Sequence, residues 1–543
     1  MMSNRMGRWL AVAAAAGMVV AVPGVAESAS TTKITGLTTA VQMTKGDPVP
    51  SRTFSSPYML ADPDNPRVIV AAMAELRTNV CYLARSVDAG KTWAILPALP
   101  ALNSYPWCTN TFGGVIIAPL AWGRNHTLYY ALEGYGPTDG GDTRTANYSV
   151  LLARSTDLGN TWQTTLVDNA RGLAGTALTF NGPVTSVAVD TSGAKDVVYV
   201  GYGRSHPNAP AGTPPANSAS MVAVSTDGGV TFQQPVNIND FSHVTQTING
   251  MSYPLLLSAP FIAVSNKGVV EVISGPRTPS GVTIPGPRPS QPVLSARSTD
   301  QGKTWTVSTT GPIVHTPQGP VLETSVRWVP KGGPQGTFLT EVAAWPNASG
   351  GPADILFQRS TDGGNTWTDP VPLNDDDLSL QYLHFLPQMS VAPNGRVDVA
   401  WYDFRGQHGF APDVYYTYSD DGGQTWAKNV KVTDQPIDFS IGVSANSDVR
   451  QPPGIASANQ YSFFGWADTR LGNPDTQTQD VFGDSAQYAP LPATGGSHWA
   501  RNLAAAFAGL LLAGAILLLA VRRRGRKNEA PAREKELEPA SAG

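Results

Sequence analysis

The octapeptide STDGGNTW, Ser360–Trp367, decides the fold of this chain because close copies of it recur along the sequence. Each copy has an Asp, a Gly two residues later, a Thr and then an aromatic residue. The other copies are SVDAGKTW from Ser86, STDLGNTW from Ser155, STDGGVTF from Ser225, STDQGKTW from Ser298 and SDDGGQTW from Ser419. Self-similarity at intervals of roughly 60 to 73 residues is typical of a solenoid or a propeller.

The residues around each copy follow one order of strands and turns. In the sixth unit an apolar strand (388–393) precedes a tight turn, and a second strand (397–403) leads through a variable loop to a third strand (414–419). The octapeptide then makes a hairpin turn into a fourth strand (428–433). Four short strands joined by tight turns predict one blade of a β-propeller.

The number of blades depends on how the ring closes. Residues 454–486 contain the first three strands of a seventh unit but lack the octapeptide and a fourth strand. The segment 33–43 could supply that outer strand, which would remove the exposed sheet edges. We therefore expect an all-β propeller of seven four-stranded antiparallel blades over residues 55–488, with six blades as the alternative. Residues 27–54 form an N-terminal segment that includes the closing strand.

The repeated Asp is predicted to stabilise the turn rather than to catalyse a reaction. An Asp side chain accepts hydrogen bonds from backbone N–H groups a few residues on, and Gly adopts the positive φ that a tight turn needs. A catalytic carboxylate is needed once or twice per site, whereas this Asp occurs in every copy. The structural set is Asp88, Asp157, Asp227, Asp300, Asp362 and Asp421.

The repeat resembles the Asp-box, or BNR, repeat of bacterial sialidases and related propellers, and the resemblance extends over residues 55–488. It implies that ligands bind on the face opposite the boxes. It also implies the residues of that family, which are a Tyr–Glu nucleophile pair, an Asp acid/base, three Arg and an Arg-Ile-Pro sequence. This chain has no Arg-Ile-Pro, and NPRVIV (65–70) stands near the expected place.

The face opposite the boxes collects the ends of the second strands, which are rich in Arg, aromatic and acidic residues. The candidate catalytic carboxylates are Glu133, Asp403 and Asp468. Arg binds carboxylates and aromatic rings stack on sugars. The candidate ligand-binding residues are Arg77, Tyr135, Arg204, Arg277, Trp401, Tyr402, Arg405, Trp466 and Arg470. The sequence WxDxR occurs twice among them. Because its Asp and Arg lie on one side of a strand, an internal salt bridge is the alternative interpretation.

These features predict a propeller that acts on glycans as an exo-α-sialidase-like glycoside hydrolase. The alternative is a non-catalytic adhesin or recognition module that binds glycan or protein. The formal net charge of −4 over 543 residues and the lack of a basic stripe argue against a nucleic acid partner. No cofactor and no metal are predicted, since the acidic segments 137–142 and 374–377 lack EF-hand spacing.

The N-terminus is typical of an export signal, and the C-terminus is typical of a surface anchor. Two Arg before a short apolar run and small residues near a cleavage site predict a signal peptide over residues 1–26. The linker 489–502 contains LPATG, and an apolar span (503–521) and a basic cytoplasmic tail (522–543) follow it. This order resembles the cell-wall sorting signal of Gram-positive surface proteins, with Leu491, Pro492, Ala493, Thr494 and Gly495 as the motif. The resemblance implies that a sortase joins Thr494 to peptidoglycan. A single-span membrane protein with an extracellular propeller is the alternative.

The chain has two cysteines, Cys81 and Cys108. In an exported protein they are expected to form a disulfide, and two buried free thiols are the alternative.

Overall fold

The computed structural model describes a large part of the predicted propeller. The described residues are 34–77, 80–96, 105–107, 120–136, 147–169, 180–205, 219–248, 250–258, 260–277, 292–311, 324–330, 336–344, 353–377, 380, 382–406, 409, 411–442 and 451–488. They lie in one compact unit that ends at Tyr488. No helix in these ranges is long and apolar enough to cross a membrane. The predicted signal peptide, sorting motif and apolar span fall outside them.

The first half of the chain contains the closing strands and three blades. The closing strands are β1 (Ile34–Leu37) and β2 (Val41–Gln42). Blade 1 contains β3 (Tyr58–Ala61), β4 (Ile69–Glu75), β5 (Val80–Ser86) and β6 (Ala94–Ile95), and β7 (Tyr105–Trp107) follows it. Blade 2 contains β8 (Leu120–Trp122), β9 (Leu128–Gly136), β10 (Asn147–Ser155) and β11 (Gln163–Asn169). Blade 3 contains β12 (Phe180–Asp190), β13 (Val197–Ser205), β14 (Ala219–Ser225) and β15 (Val236–Asn237).

The second half contains four blades and two accessory strand pairs. The accessory strands are β16 (Thr245–Ile248), β17 (Met251–Pro254), β18 (Leu256–Leu257) and β21 (Pro276–Arg277). Blade 4 contains β19 (Phe261–Val264), β20 (Val270–Ser274), β22 (Leu294–Ser298) and β23 (Thr306–Thr309). Blade 5 contains β24 (Thr324–Val329), β25 (Thr337–Ala344), β26 (Asp354–Ser360) and β27 (Val371–Pro372). Blade 6 contains β28 (His384–Val391), β29 (Val397–Asp403), β30 (Asp413–Ser419) and β31 (Val430–Lys431). Blade 7 contains β32 (Gly454–Ser457), β33 (Tyr461–Asp468) and β34 (Asp480–Tyr488). Short 3₁₀ helices occur at Arg124–His126 and Ile238–Phe241.

The N-terminal strand closes the ring, and the prediction of seven blades is confirmed. β1 pairs antiparallel with β34, with Ile34 opposite Tyr488 and Leu37 opposite Ala486. Blade 7 therefore takes its outer strand from the opposite end of the chain. The innermost strands contact one another in the order β3, β8, β12, β19, β24, β28 and β32, and β32 contacts β3 again. This pairing covers the edge that an open sheet would expose.

The apolar core lies between the blades. Within the described ranges, seven buried clusters occupy the seven gaps between neighbouring blades. The cluster between blades 5 and 6, for example, packs Phe357 and Leu339 against Trp401 and Trp426. Because strand residues alternate between the two faces of a sheet, each blade contributes one set of side chains to each neighbour.

Each Asp box is stabilised by hydrogen bonds within its own eight residues. In the fifth box the Ser360 hydroxyl donates to Asp362 (2.8 Å), and the other carboxylate oxygen accepts from the Thr366 hydroxyl (2.6 Å). The Thr366 N–H also donates to Asp362, at 2.9 Å. In the second box the hydrogen bonds from the Thr161 side chain and backbone lower the pKa of Asp157 to about 2. The structural prediction for the repeated Asp agrees with this geometry.

The fifth residue of each box is a glycine. A side chain of the preceding blade occupies the space beside it that a Cβ would need. The φ of this glycine lies between +79° and +88°, and a Cβ there would meet a side chain of the neighbouring blade within 3.2 Å. We call this position the socket. The socket pairs are Gly90 with Phe463, Gly159 with Leu96, Gly229 with Leu152, Gly302 with Val224, Gly364 with Glu271, and Gly423 with Phe357.

Two opposite faces follow from this topology. The boxes and the turns between first and second strands form the box face. The loops between second and third strands, together with the links between blades, form the loop face. Thus β29 ends at the loop face with Asp403, and β30 begins there with Asp413 and ends at the box face with Ser419.

Candidate functional site

The WxDxR segment of blade 6 forms a closed set of contacts at the loop face. The Trp401 indole N–H and the Arg405 Nε both donate to one Asp403 oxygen, each at 2.9 Å. The Arg405 guanidinium also donates to Asp375 (2.8 Å) and Asn429 (2.9 Å). Asp375 lies in the link from blade 5 to blade 6, and Asn429 immediately precedes β31. Asp403 is fully buried. The carboxylate therefore anchors a strand end and an arginine that braces the blade junction.

The equivalent segment of blade 7 has the same arrangement. The Trp466 N–H and the Arg470 guanidinium donate to Asp468, at 2.6 and 2.9 Å. Arg470 also donates to Asp434 (2.7 Å), in the link from blade 6 to blade 7, and lies over the Phe482 ring. Both WxDxR arginines are thus engaged by local carboxylates, as the salt-bridge interpretation predicts.

The aromatic residues of these segments lie in the core, which corrects the expectation that they stack on a sugar. Trp401 and Trp466 are fully buried, and Tyr402 is 1% exposed. The Tyr402 hydroxyl hydrogen-bonds the Ser56 hydroxyl at 2.8 Å. Asp403 and Asp468 are equally enclosed, so no ligand reaches either carboxylate in this conformation.

Blade 3 uses a related contact. The Tyr202 hydroxyl and the Arg204 guanidinium both donate to Asp168, which lies in the outer strand of blade 2. Burial and the adjacent Asp168 charge raise the pKa of Tyr202 far above its ordinary value. Arg204 therefore joins two blades, as Arg405 and Arg470 do.

The remaining candidates from the sequence lie toward the loop face, and side-chain contacts are described for Arg77 but not for the other three. Arg77 is exposed and donates to the carbonyl of Thr476. Glu133 and Tyr135 lie in β9, and Arg277 lies opposite Leu256 in a short strand pair. The side chains of these last three residues fall outside the description. Cys81 is disulfide-bonded, and Cys108 lies outside the described ranges.

A buried histidine that the sequence analysis did not single out lies beside Asp403. His384 Nδ1 donates to the Ala353 carbonyl (2.9 Å), while Nε2 lies 3.2 Å from Asp376 and 3.4 Å from Asp403. Burial lowers the pKa of His384, but the contact with Asp376 and the Asp403 charge raise it overall. Burial raises the pKa of Asp376, but His384 outweighs it and lowers the value to about 2. A single His in an apolar stretch gave no signal of this cluster.

A second unpredicted group spans the central channel. The Arg327 guanidinium, from the innermost strand of blade 5, donates to the Tyr58 hydroxyl of blade 1 at 3.3 Å. Blades 1 and 5 are not neighbours, so this contact crosses the ring. Both side chains are half-buried, and Tyr58 begins β3 at its loop-face end. Arg327 otherwise donates to the carbonyl of Val326, and no carboxylate among the described residues forms an ion pair with it.

Glu341 lies next to this channel group. It is buried in β25 opposite Ser325, whose hydroxyl donates to it at 2.5 Å. Burial raises the pKa of Glu341 to about 7, although the Ser325 hydrogen bond and the Arg327 charge oppose the shift. A carboxyl with such a pKa exchanges its proton near neutral pH.

The described residues include one group with the composition of a metal site. Asp62, Asp64 and His126 place one ligand atom each within 4.8 Å of one another. They lie in the first turns of blades 1 and 2, on the box face, and the His126 ring contacts Asp62 at 2.5 Å. Carboxylate and imidazole ligands suit a transition metal. The group was not predicted because its two halves come from different blades.

Comparisons with known proteins agree with the repeat. Residues 417–428 match the family model described as BNR/Asp-box repeat. No curated protein sequence matches the chain.

Solved structures resemble the chain at low sequence identity. A protein of unknown function from Dyadobacter fermentans is 13% identical, with a TM-score of 0.42 over 72% of this chain and 99% of its own. The Hadza microbial sialidase Hz136 is 14% identical, with a TM-score of 0.41 over 76% of this chain and 74% of its own. An alpha-L-arabinanase from Penicillium chrysogenum is 16% identical, with a TM-score of 0.40 over 67% of this chain and 94% of its own. These values transfer no substrate to the chain, which is an all-β, seven-bladed propeller that carries the BNR/Asp-box repeat.

Proposed function

We propose that this protein is a cell-surface propeller that binds acidic glycans at the loop-face mouth of its central channel. The observation that carries the proposal is the contact of Arg327 with Tyr58 across the ring. Arg327 is half-buried, its hydrogen bonds go to neutral groups, and the acidic group that its charge influences, Glu341, has a pKa raised to about 7, so Arg327 is less neutralised than an arginine in an ion pair. Arginine recognises carboxylate and phosphate groups through paired hydrogen bonds.

The other arginines support recognition at the channel rather than at the strand ends. Arg405 forms ion pairs with three carboxylates and Arg470 with two, and Arg204 pairs with Asp168. A ligand would have to displace those carboxylates before it could bind the same guanidinium groups. No ion pair of Arg327 with a described carboxylate would have to be broken.

Hydrolysis is the second candidate function, and Glu341 is the observation that favours it. A carboxyl with a pKa of about 7 can hold a proton at neutral pH, but Glu341 is as buried as Asp403 in this conformation, so proton transfer to a ligand requires a movement that brings Glu341 to the channel. An exo-acting glycosidase for acidic sugars, including an exo-α-sialidase, would need a second group that flanks the same bond. Tyr58, which the Arg327 guanidinium contacts, offers a hydroxyl for that role.

The proposed location is the outer cell surface. The N-terminal export signal and the LPATG motif with its apolar span and basic tail support this location. The partners that follow are a sortase and peptidoglycan, or the membrane if the span is retained.

Binding is tested with residues 27–490, which include every described blade and the closing strand. Titration of sialylated, uronic-acid and neutral oligosaccharides would be followed by calorimetry for the wild type, Arg327→Gln and Arg85→Gln. Arg85 is the matched control because it is half-buried and donates to a backbone carbonyl, but at the box face. Loss of a charged hydrogen-bond donor is expected to weaken acidic ligands by about 10- to 100-fold in Arg327→Gln alone. Equal affinity in all three proteins contradicts the proposal.

Hydrolysis is tested with fluorogenic glycosides that include α-sialosides. Glu341→Gln keeps the shape of the side chain and removes the titrating proton. Release that falls about 100-fold or more in this variant, while ligand affinity is retained, supports the enzyme. Absence of release by the wild type, together with tight acidic-glycan binding, supports recognition alone.

A further inference from the structure

The described chain leaves the propeller on the box face. β34 is the third strand of blade 7, and third strands run from the loop face to the box face. Its last residue, Tyr488, is also the last described residue of the compact unit. The first described strand enters at the same end, because Ile34 pairs with Tyr488.

Side-chain contacts fix Tyr488 at the box-face end of blades 6 and 7. Its hydroxyl donates to Asp398 at 2.9 Å, and the Arg396 guanidinium lies 3.8 Å from its ring centroid. Arg396 follows the first turn of blade 6. The Tyr488 ring also lies 5.5 Å from that of Tyr418, the residue before the sixth box.

The proposed attachment point follows closely in sequence. Thr494, the residue that a sortase would join to peptidoglycan, comes six residues after Tyr488. Six extended residues span at most about 20 Å. A folded unit of this size has a radius of gyration of roughly 22 Å. The tether is therefore too short to pass around the propeller to the loop face.

We propose that the box face is the wall-facing side of the propeller and that the loop face, with the Arg327 channel mouth, is turned outward. This orientation rests on the proposed surface anchoring. It makes peptidoglycan the neighbour of the Asp boxes. It makes the channel mouth the side of the propeller that lies farther from the attachment point.

Variants of the full chain that each carry one added cysteine test this orientation in a Gram-positive host. Val87→Cys and Val230→Cys place a thiol on the box face, where the native residues are 56% and 55% exposed. Met251→Cys and Leu471→Cys place one on the loop face, where the native residues are 52% and 59% exposed. The wild type is the background control. A large polyethylene-glycol maleimide would be applied to intact cells and to protein released by wall digestion.

The expected result is that the loop-face thiols react on intact cells at least several-fold faster than the box-face thiols, and that all four react alike after release. Equal rates on intact cells, or faster box-face reaction, overturn the orientation. Thr494→Ala is expected to remove the chain from the wall fraction. If the wild type itself is absent from that fraction, anchoring fails and the orientation fails with it. If the wild type is wall-bound and the rates are equal, the orientation alone is wrong.

Discussion

The sockets of blades 5 and 6 hold different side chains in the same backbone geometry. Gly364 has a φ of +87° and receives the carboxyl of Glu271, whereas Gly423 has a φ of +79° and receives the ring of Phe357. Phe357 also packs against Trp426, with ring centroids 4.8 Å apart. Glu271 is fully buried, and one of its carboxyl oxygens accepts from the Ser295 hydroxyl.

The difference shows which part of the repeat depends on its neighbour. The two boxes have the same hydrogen bonds from Ser and Thr to Asp, although one socket is apolar and the other polar. The box conformation is therefore set locally. The inserted side chain decides how strongly two blades adhere and whether the junction responds to pH.

The largest expected effect is the loss of the aromatic insert. Phe357→Ala removes a fully buried ring from the socket of Gly423 and from Trp426, which should lower the free energy of unfolding by about 3–5 kcal/mol. Urea denaturation of residues 27–490 measures it, with Phe357→Leu as the smaller-volume control. A loss below about 1 kcal/mol would mean that the junction repacks and that the socket contributes little.

Replacing the two socket glycines by alanine should destabilise the protein to different extents. Gly423→Ala brings a Cβ to 2.4 Å from the rigid Phe357 ring, whereas Gly364→Ala brings one to 2.2 Å from the movable end of Glu271. Both substitutions also strain the positive φ, at about 1 kcal/mol or more each. We expect Gly423→Ala to destabilise by about 3 kcal/mol and Gly364→Ala by about half of that. A lower denaturation midpoint for Gly364→Ala than for Gly423→Ala would contradict the idea that the Phe357 ring yields less than the Glu271 carboxyl.

Removal of the box carboxylates should have equal effects. Asp362→Ala and Asp421→Ala each remove an acceptor of hydrogen bonds from one Ser hydroxyl, one Thr hydroxyl and one Thr N–H. A loss of about 1–2 kcal/mol is expected for each. Values that differ by more than the experimental error would show that the inserted side chain does influence the box.

Glu271→Gln is expected to change stability least. The change should be close to zero at acidic pH, and at higher pH the variant should become more stable than the wild type. Burial raises the pKa of Glu271 well above 4.5, although the Ser295 hydrogen bond and the Arg297 charge oppose it. The folded state therefore keeps a proton that the unfolded chain releases, and stability falls as the pH rises above about 4.5. Gln imitates the protonated carboxyl.

Melting temperatures of Glu271→Gln and the wild type should agree near pH 4, and the variant should be the more stable by pH 8. Phe357→Leu is the control. Neither side chain titrates, so its difference in melting temperature from the wild type should not depend on the pH in the same way. A constant difference between Glu271→Gln and the wild type from pH 4 to 8 would show that Glu271 titrates normally.

The frame of the fold could be predicted because its signals are short-range and repeated. The box spacing indicates the blades, and the incomplete seventh unit indicates closure by the N-terminal strand, as β1 and β34 confirm. The salt-bridge alternative for WxDxR also agrees with the structure, because Asp403 and Arg405 are two residues apart. The accessibility of Trp401 could not be predicted, since burial depends on the next blade.

The candidate site was the least predictable part. Arg327 and Tyr58 are 269 residues apart, and neither stands in a motif. His384 meets Asp376 and Asp403 only where a blade link crosses a strand end. Such contacts exist only after the ring has closed, so no local pattern in the sequence marks them.

By itself the sequence determined the box, because Asp, Gly and Thr within eight residues satisfy one another's hydrogen bonds wherever the chain places them. It also favoured seven units over six and indicated the strand that closes them, which the pairing of β1 with β34 confirms. Tertiary structure alone decided which side chain enters each socket, which arginines are neutralised, and that Arg327 faces Tyr58. The physical reason is distance along the chain: these contacts join strands from separate blades, and closure of the ring is what brings them together.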